Sequence, residues 1–143
     1  MKGYKIGFSK IADGKDLTFV LITLEIPERY PGVMLIGSPH GVRSNIARVL
    51  NIRRIDQYRT FGESSFTVML SSDKLDSAFS IYDKNFFYHP GEIVFPDKFD
   101  DTDYRICTNG IHFYFNESDA IYYILDNWVQ TEYKMYRRLL LGC

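Results

Sequence analysis

Cysteine is nearly missing from this chain, whose 143 residues include only Cys107 and Cys143. Such a pair makes no disulfide framework, and a domain of this length does not need one. Long hydrophobic runs are missing as well. The longest candidate, Leu17–Ile26 (LTFVLITLEI), is interrupted by Thr18, Thr23 and Glu25, and it falls short of the ~18 apolar residues of a membrane span. No charged n-region followed by an apolar h-region opens the chain, so no secretory leader is expected. Neither sign of charge is in excess. The formal net charge is −1, which excludes a global electrostatic pull toward nucleic acid or a membrane. The phosphate-binding G-x-x-x-x-G-K-[ST], the dinucleotide G-x-G-x-x-G and the nucleophile elbow G-x-S-x-G are all absent, and no cofactor is implied. These absences read as a soluble, intracellular protein of a reducing compartment.

What is present is material for a core. Hydrophobic residues make up 45% of the chain, and a chain of this length buries roughly two-thirds of its unfolded surface on folding. A single domain spanning 1–143 follows. Aromatics are abundant, with 11 Tyr and 11 Phe. Buried tyrosines need partners for their hydroxyls, and aromatics are enriched at contact surfaces, so they fill either a core or an assembly interface. Charge is divided unevenly along the chain. Residues 1–60 carry ten Lys/Arg against five Asp/Glu, and residues 61–143 carry seven against thirteen, so the halves stand at +5 and −6. Halves of opposite sign attract each other within one domain or serve head-to-tail association.

Taken in order, Tyr4, Ile6 and Phe8 alternate with polar or small residues, as in a half-buried strand. Ala12–Lys15 is a turn, and Leu17–Ile26 is a β-branched and aromatic run expected to be a central strand, the two forming a β-hairpin. Residues 27–43 hold three prolines and three glycines and read as a long irregular excursion with a short apolar piece, Val33–Ile36. Long irregular segments are often functional, and His40 and Arg43 lie in this one. A strand is favoured around Arg48–Ile52 and another at Ser65–Leu70. Ser71–Lys74 offers caps to a short helix near Leu75–Ile81. His89-Pro90-Gly91 is a turn, and Glu92–Phe95 is a short strand ended by Pro96. Near the C-terminus, Asn109-Gly110 turns the chain into a strand, Ile111–Phe115. Asn116 then caps a helix that carries Glu117 and Asp119 in its first turn. Helical spacing continues through Trp128, Tyr133, Tyr136, Leu139 and Leu140, as one helix or two.

Cys107 and His112 invite a search for chemistry. With His40 and His89 they make up a four-ligand zinc set in number, but zinc sites announce themselves through C-x-x-C or H-x-x-x-H pairs, and none is present. As a nucleophile pair, Cys107 and His112 fall within reach across the turn, with Asp100, Asp101 or Asp103 available to orient the imidazole. The same acidic run raises a thiol pKa, whereas a catalytic thiol needs it lowered. The run Asp97–Asp103 lacks the glycine and register of a calcium loop. No metal site is therefore expected, and no catalytic residue is assigned beyond the candidates His112, Cys107 and His40. Arg43, Arg48, Arg53, Arg54 and Arg59 form a basic stripe. Its first four members are candidates for binding an anion or a phosphate backbone, against the plainer reading of an edge that faces the acidic half. Trp128, Tyr133 and Tyr136 are candidates for an interaction surface.

Cys107-x-x-Gly110-Ile111-His112-Phe113, followed by an acidic helix start and Ala120, resembles the C-x-x-G-I-H-F-F…E-E-A signature of an uncharacterised domain family. That family occurs in large DNA viruses, phages and other microbes, often behind pentapeptide repeats. Gly3-Tyr4-Lys5, Leu24–Pro27, Gly41-Val42-Arg43, Val49–Ile52, Tyr88–Val94 and Pro96–Asp100 are similar to further family motifs in the same order. Val42 stands where the family often has a second cysteine, so a two-cysteine metal site or disulfide does not carry over. The resemblance implies a virus-encoded virion or accessory protein, in the host cytoplasm or the virion, and brings no activity with it. The fold expected is α+β: an antiparallel or mixed sheet of about five to seven short strands with a C-terminal helix, or two, packed on it. The function expected is a non-enzymatic module that docks to a protein partner or to itself. The alternatives are a small transferase or hydrolase that uses His112, His40 and Arg43 on a nucleotide or other anion, and nucleic-acid binding through Arg43–Arg59.

Overall fold

A computed structural model of the protein describes residues 1–10, 17–38, 41–58, 67–81, 83–99, 110–130 and 135–137, with backbone alone at 38, 41, 58, 126–130 and 135–137. In chain order the elements are β1 (Lys2–Lys10), β2 (Leu17–Glu25), β3 (Leu35–Ser38), β4 (Gly41–Ser44), β5 (Ala47–Tyr58), β6 (Thr67–Lys74), β7 (Ala78–Ser80), β8 (Phe87–Tyr88), β9 (Ile93–Val94), β10 (Ile111–Phe113), α1 (Glu117–Asn127), β11 (Trp128–Gln130) and β12 (Met135–Arg137). Seven strands form one antiparallel sheet in the order β6-β5-β2-β1-β7-β8, with β9 on the free side of β5. β10-β4-β3 form a smaller sheet, and β11 pairs with β12.

The apolar run at the centre of the sequence becomes the centre of the sheet. β2 pairs along its whole length with β1, from Lys2↔Glu25 to Lys10↔Leu17, and on its other side with β5. It is buried from Thr18 to Leu24 because both faces are covered. Successive side chains point to opposite faces, so Val20, Ile22 and Leu24 enter one cluster while Phe19 and Leu21 enter another. The first cluster lies on the concave side. Tyr88 is on the strand that pairs with β7, yet Gly91 N donates to Val49 O at 2.7 Å on β5, at the far side of the sheet. Three residues span about 10 Å, whereas four flat strand spacings span about 19 Å. The sheet is therefore curled into a partial barrel, and Tyr88 and Val94 close over Ile22, Leu24, Val49 and Ile52.

The smaller sheet joins the rim of this barrel through one pair, Tyr4↔Tyr114, whose backbones exchange bonds of 2.8 and 2.7 Å. It sends Val42, Ile111 and Phe113 into the same concave core. Gly3 is part of the fit, since a Cβ there would lie 2.8 Å from Phe113 Cγ. On the convex side, α1 lays Ala120 and Ile124, both fully buried, against Ile6, Phe19, Leu21 and Ile55. Asn116 precedes the helix as expected. Its carbonyl accepts from Ala120 N at 3.4 Å and its amide donates to Asp119 at 3.2 Å.

Two expectations are corrected. The segment expected to be a helix near Leu75–Ile81 is extended. β6 runs to Lys74, and β7 pairs with β1 and β8 through Gly7↔Ser80, Phe8↔Phe79 and Ala78↔Tyr88. A seven-residue helix is marginal by itself, and an open ladder on each side supplied its backbone groups with better partners. The helical spacing expected from Val129 also fails at the described residues 129–130 and 135–137. α1 ends at Asn127 and the chain returns as an antiparallel pair, Trp128↔Arg137 to Gln130↔Met135. The described residues thus hold one helix, because a few apolar residues at i, i+3 and i+7 fit more than one period. Tyr133, Leu139 and Leu140 lie outside the described residues. The excursion at 27–43 is more ordered than its composition implies, since β3 and β4 form a hairpin within it.

The orientation of α1 has a direct test. Ile124 is fully buried and Tyr122 is 59% exposed. Ile124→Ala is expected to lower the unfolding free energy in urea by about 2–5 kcal/mol, and Tyr122→Ala by less than about 0.5 kcal/mol.

Candidate functional site

The pairing of β4 with β10 decides what the signature residues do. The register is Ile111↔Ser44, His112↔Arg43 and Phe113↔Val42. Since directly paired residues share a face, Arg43 and His112 stand side by side opposite the core-facing Val42, Ile111 and Phe113. This face is closed as well. Arg43 is only 3% exposed, and its guanidinium carbon lies 5.5 Å from the centre of the Phe99 ring, a cation–π placement. Nε2 of His112 is buried. Gly110 makes the closure possible. Its φ is +151°, and a Cβ there would lie 3.1 Å from Arg43 Cβ and 3.2 Å from Phe99 Cε2. A side chain at position 110 would strain the backbone and force Phe99 or Arg43 to give by a few tenths of an ångström.

Arg43 carries a guanidinium charge, and holding a charge away from water is costly unless it is compensated. The arrangement of Gly110, Phe99, Arg43 and His112 is therefore a demanding piece of packing, and it presents no open guanidinium to an anion. His40 and Cys107, the other catalytic candidates, lie outside the described residues, as do Asp100, Asp101 and Asp103.

The arginine stripe disperses. Neighbouring residues on a strand point to opposite faces, so Arg53 and Arg54 part company. Arg53 Nη2 donates to Glu117 Oε1 at 2.6 Å, at the start of α1. Arg54 meets Asp56 at 2.8 Å and Asp73 at 3.1 Å. Arg48 is exposed on β5, and Arg59 lies outside the described residues. The Arg53–Glu117 and Arg54–Asp73 pairs each join the basic half of the sequence to the acidic half. Among the interaction candidates, Trp128 and Tyr136 sit on β11 and β12, and Tyr133 is not described. Among the described residues, no group of three or more His, Cys, Asp or Glu side chains comes together to hold a metal, and no helix is long and apolar enough to cross a membrane.

One cluster escaped the reading of the sequence. Tyr114, just after β10, Tyr4, Thr23 and Asn51 form a row by direct pairing across β1, β2 and β5, and Arg53 lies two residues further along β5. The signal was present in two polar residues set in apolar runs, Thr23 in LTFVLITLEI and Asn51 in VLNI. Only the register shows that they meet.

The fold and this site define an α+β domain in which a small sheet and one helix clasp a curled antiparallel sheet, with a buried arginine at the clasp. The chain belongs to a family of unknown function, DUF5758, whose model matches residues 1–120. The matched residues include both larger sheets and the first turn of α1, and stop before β11 and β12. Neither the curated proteins nor the solved structures hold a significant match to the chain.

Gly110→Ala tests the closure over Arg43. The strained backbone and the crowded contacts are expected to lower stability by about 1–3 kcal/mol, read as a lower urea midpoint. An unchanged midpoint would mean that Phe99 does not need the space.

Proposed function

We propose that the protein is a non-enzymatic interaction module that docks to a protein partner or assembles with copies of itself. The observation that carries this reading is a set of outward apolar side chains on one segment. Tyr88 and Val94 of that segment face the core, while Phe87, Ile93 and Phe95 are 51%, 48% and 61% exposed. Large apolar side chains gathered at the surface mark contact sites more often than chance exposure does. The segment also closes the barrel, so these side chains sit on rigid backbone and a partner would meet a preformed surface. A virion or accessory role in a virus is the setting suggested by the family resemblance. The reading of a transferase or hydrolase acting on an anion is disfavoured by the burial of Arg43, and that of a phosphate-backbone contact by the carboxylates already facing Arg53 and Arg54.

Light scattering across a concentration series, with pull-downs from cells that express the protein, tests the reading. Wild-type protein is expected to associate with itself or to retain a specific partner. An Ile93→Ser/Phe95→Ser variant is expected to lose that association while its thermal midpoint stays the same, because both side chains are about half exposed or more. A wild-type protein that stays monomeric at high concentration and retains no partner overturns the proposal.

A further inference from the structure

We infer that the convex face of the large sheet holds an internal binding site for one water molecule, formed by Thr23, Asn51 and Arg53. This inference stands apart from the interaction reading. Thr23 on β2 pairs directly with Asn51 on β5, and Leu21 pairs with Arg53, so the three polar residues are neighbours on one face. Thr23 is 4% exposed. Thr23 Oγ1, Asn51 Oδ1 and Arg53 Nε are all buried, and none has a hydrogen-bond partner among the described residues.

The backbone is irregular at the same place. Thr23 pairs with Asn51 but Leu24 pairs with Val49, so Leu50 is an extra residue in the β2–β5 ladder. On the other side of β5, the pairing jumps from Arg53↔Lys74 to Ile55↔Leu70. Bulges interrupt the ladder bonds and re-aim side chains, and here two interruptions flank the three polar atoms.

The donor and acceptor set identifies the occupant. Arg53 Nε offers a proton, Asn51 Oδ1 accepts one, and the Thr23 hydroxyl does either. Water donates to Asn51 and Thr23 and accepts from Arg53, making the three bonds usual for a buried water. An ion suits the site badly. The Arg53 guanidinium is already matched by Glu117 at 2.6 Å, a further anion would face Asn51 Oδ1 and Glu117, and a cation would face the guanidinium. A dry cluster would leave three buried polar groups without hydrogen bonds, a rare and destabilising condition.

Thr23→Val separates wet from dry, because it replaces the hydroxyl with a methyl of the same size in a β-favouring residue. If the water is bound, the variant loses one of its bonds, and the folded-to-unfolded ratio falls by about fivefold. If the cluster is dry, removing an unsatisfied hydroxyl leaves the ratio unchanged or raises it, and the inference is overturned. A high-resolution crystal structure of the unmodified protein decides the matter without a variant. Density for a water within about 2.7–3.2 Å of all three atoms supports the site, and a side chain or no density there refutes it.

Discussion

The burial of β2 on both faces is the constraint from which the rest of the structure follows. A strand with one wet face needs a single layer of cover, whereas a strand apolar on both sides needs two. Val20, Leu21, Ile22 and Leu24 are fully buried, each contributing about 1.5–3 kcal/mol relative to exposure. The sheet meets the first requirement by curling, so that its own far segment, Phe87–Val94, covers the concave side. The convex side takes the only helix among the described residues. Curling in turn leaves β1 and β5 with two partners each along their outer edges, which divides those edges among short strands. The brevity of β7 and β9 follows from this sharing.

The clasp between the two larger sheets shows how a few residues carry disproportionate weight. One backbone pair, Tyr4↔Tyr114, aligns β10 with the rim of the barrel. That alignment sends Phe113 against Gly3 and leaves Arg43 and His112 on the other face, where Phe99 lies over the guanidinium and Gly110 packs beside Phe99 and Arg43 Cβ. The residues that looked most like chemistry are thus tied to the geometry that joins one sheet to the other. Phe87 also packs beside Phe79 and His89, whereas Ile93 and Phe95 turn large apolar surface outward, and the functional reading rests there.

Much of this was legible in the residues. Alternation announced β1 and β10. The apolar run announced β2 as central, and Asn116 with its acidic followers marked the start of α1. Legibility failed where local signals were weak or shared. Leu75–Ile81 carries caps and a plausible apolar face, but its backbone groups found strand partners on both sides. The apolar positions after Val129 fit a helix and a hairpin about equally well. The arginines between positions 43 and 59 look like a stripe in one dimension. On strands they alternate, and each described one meets its own surroundings.

By itself the sequence determined the class of fold, the central strand and the start of the helix. These depend on periodicity and on capping, which act over a few residues and are written in residue type. Tertiary structure alone decided that the sheet curls, that Arg43 lies buried beside His112 under Phe99, and that Thr23, Asn51 and Arg53 meet beneath the first turn of α1. These depend on register between strands far apart in the chain. A one-residue slip in register reverses every face, and no local pattern encodes which register the packed core will select.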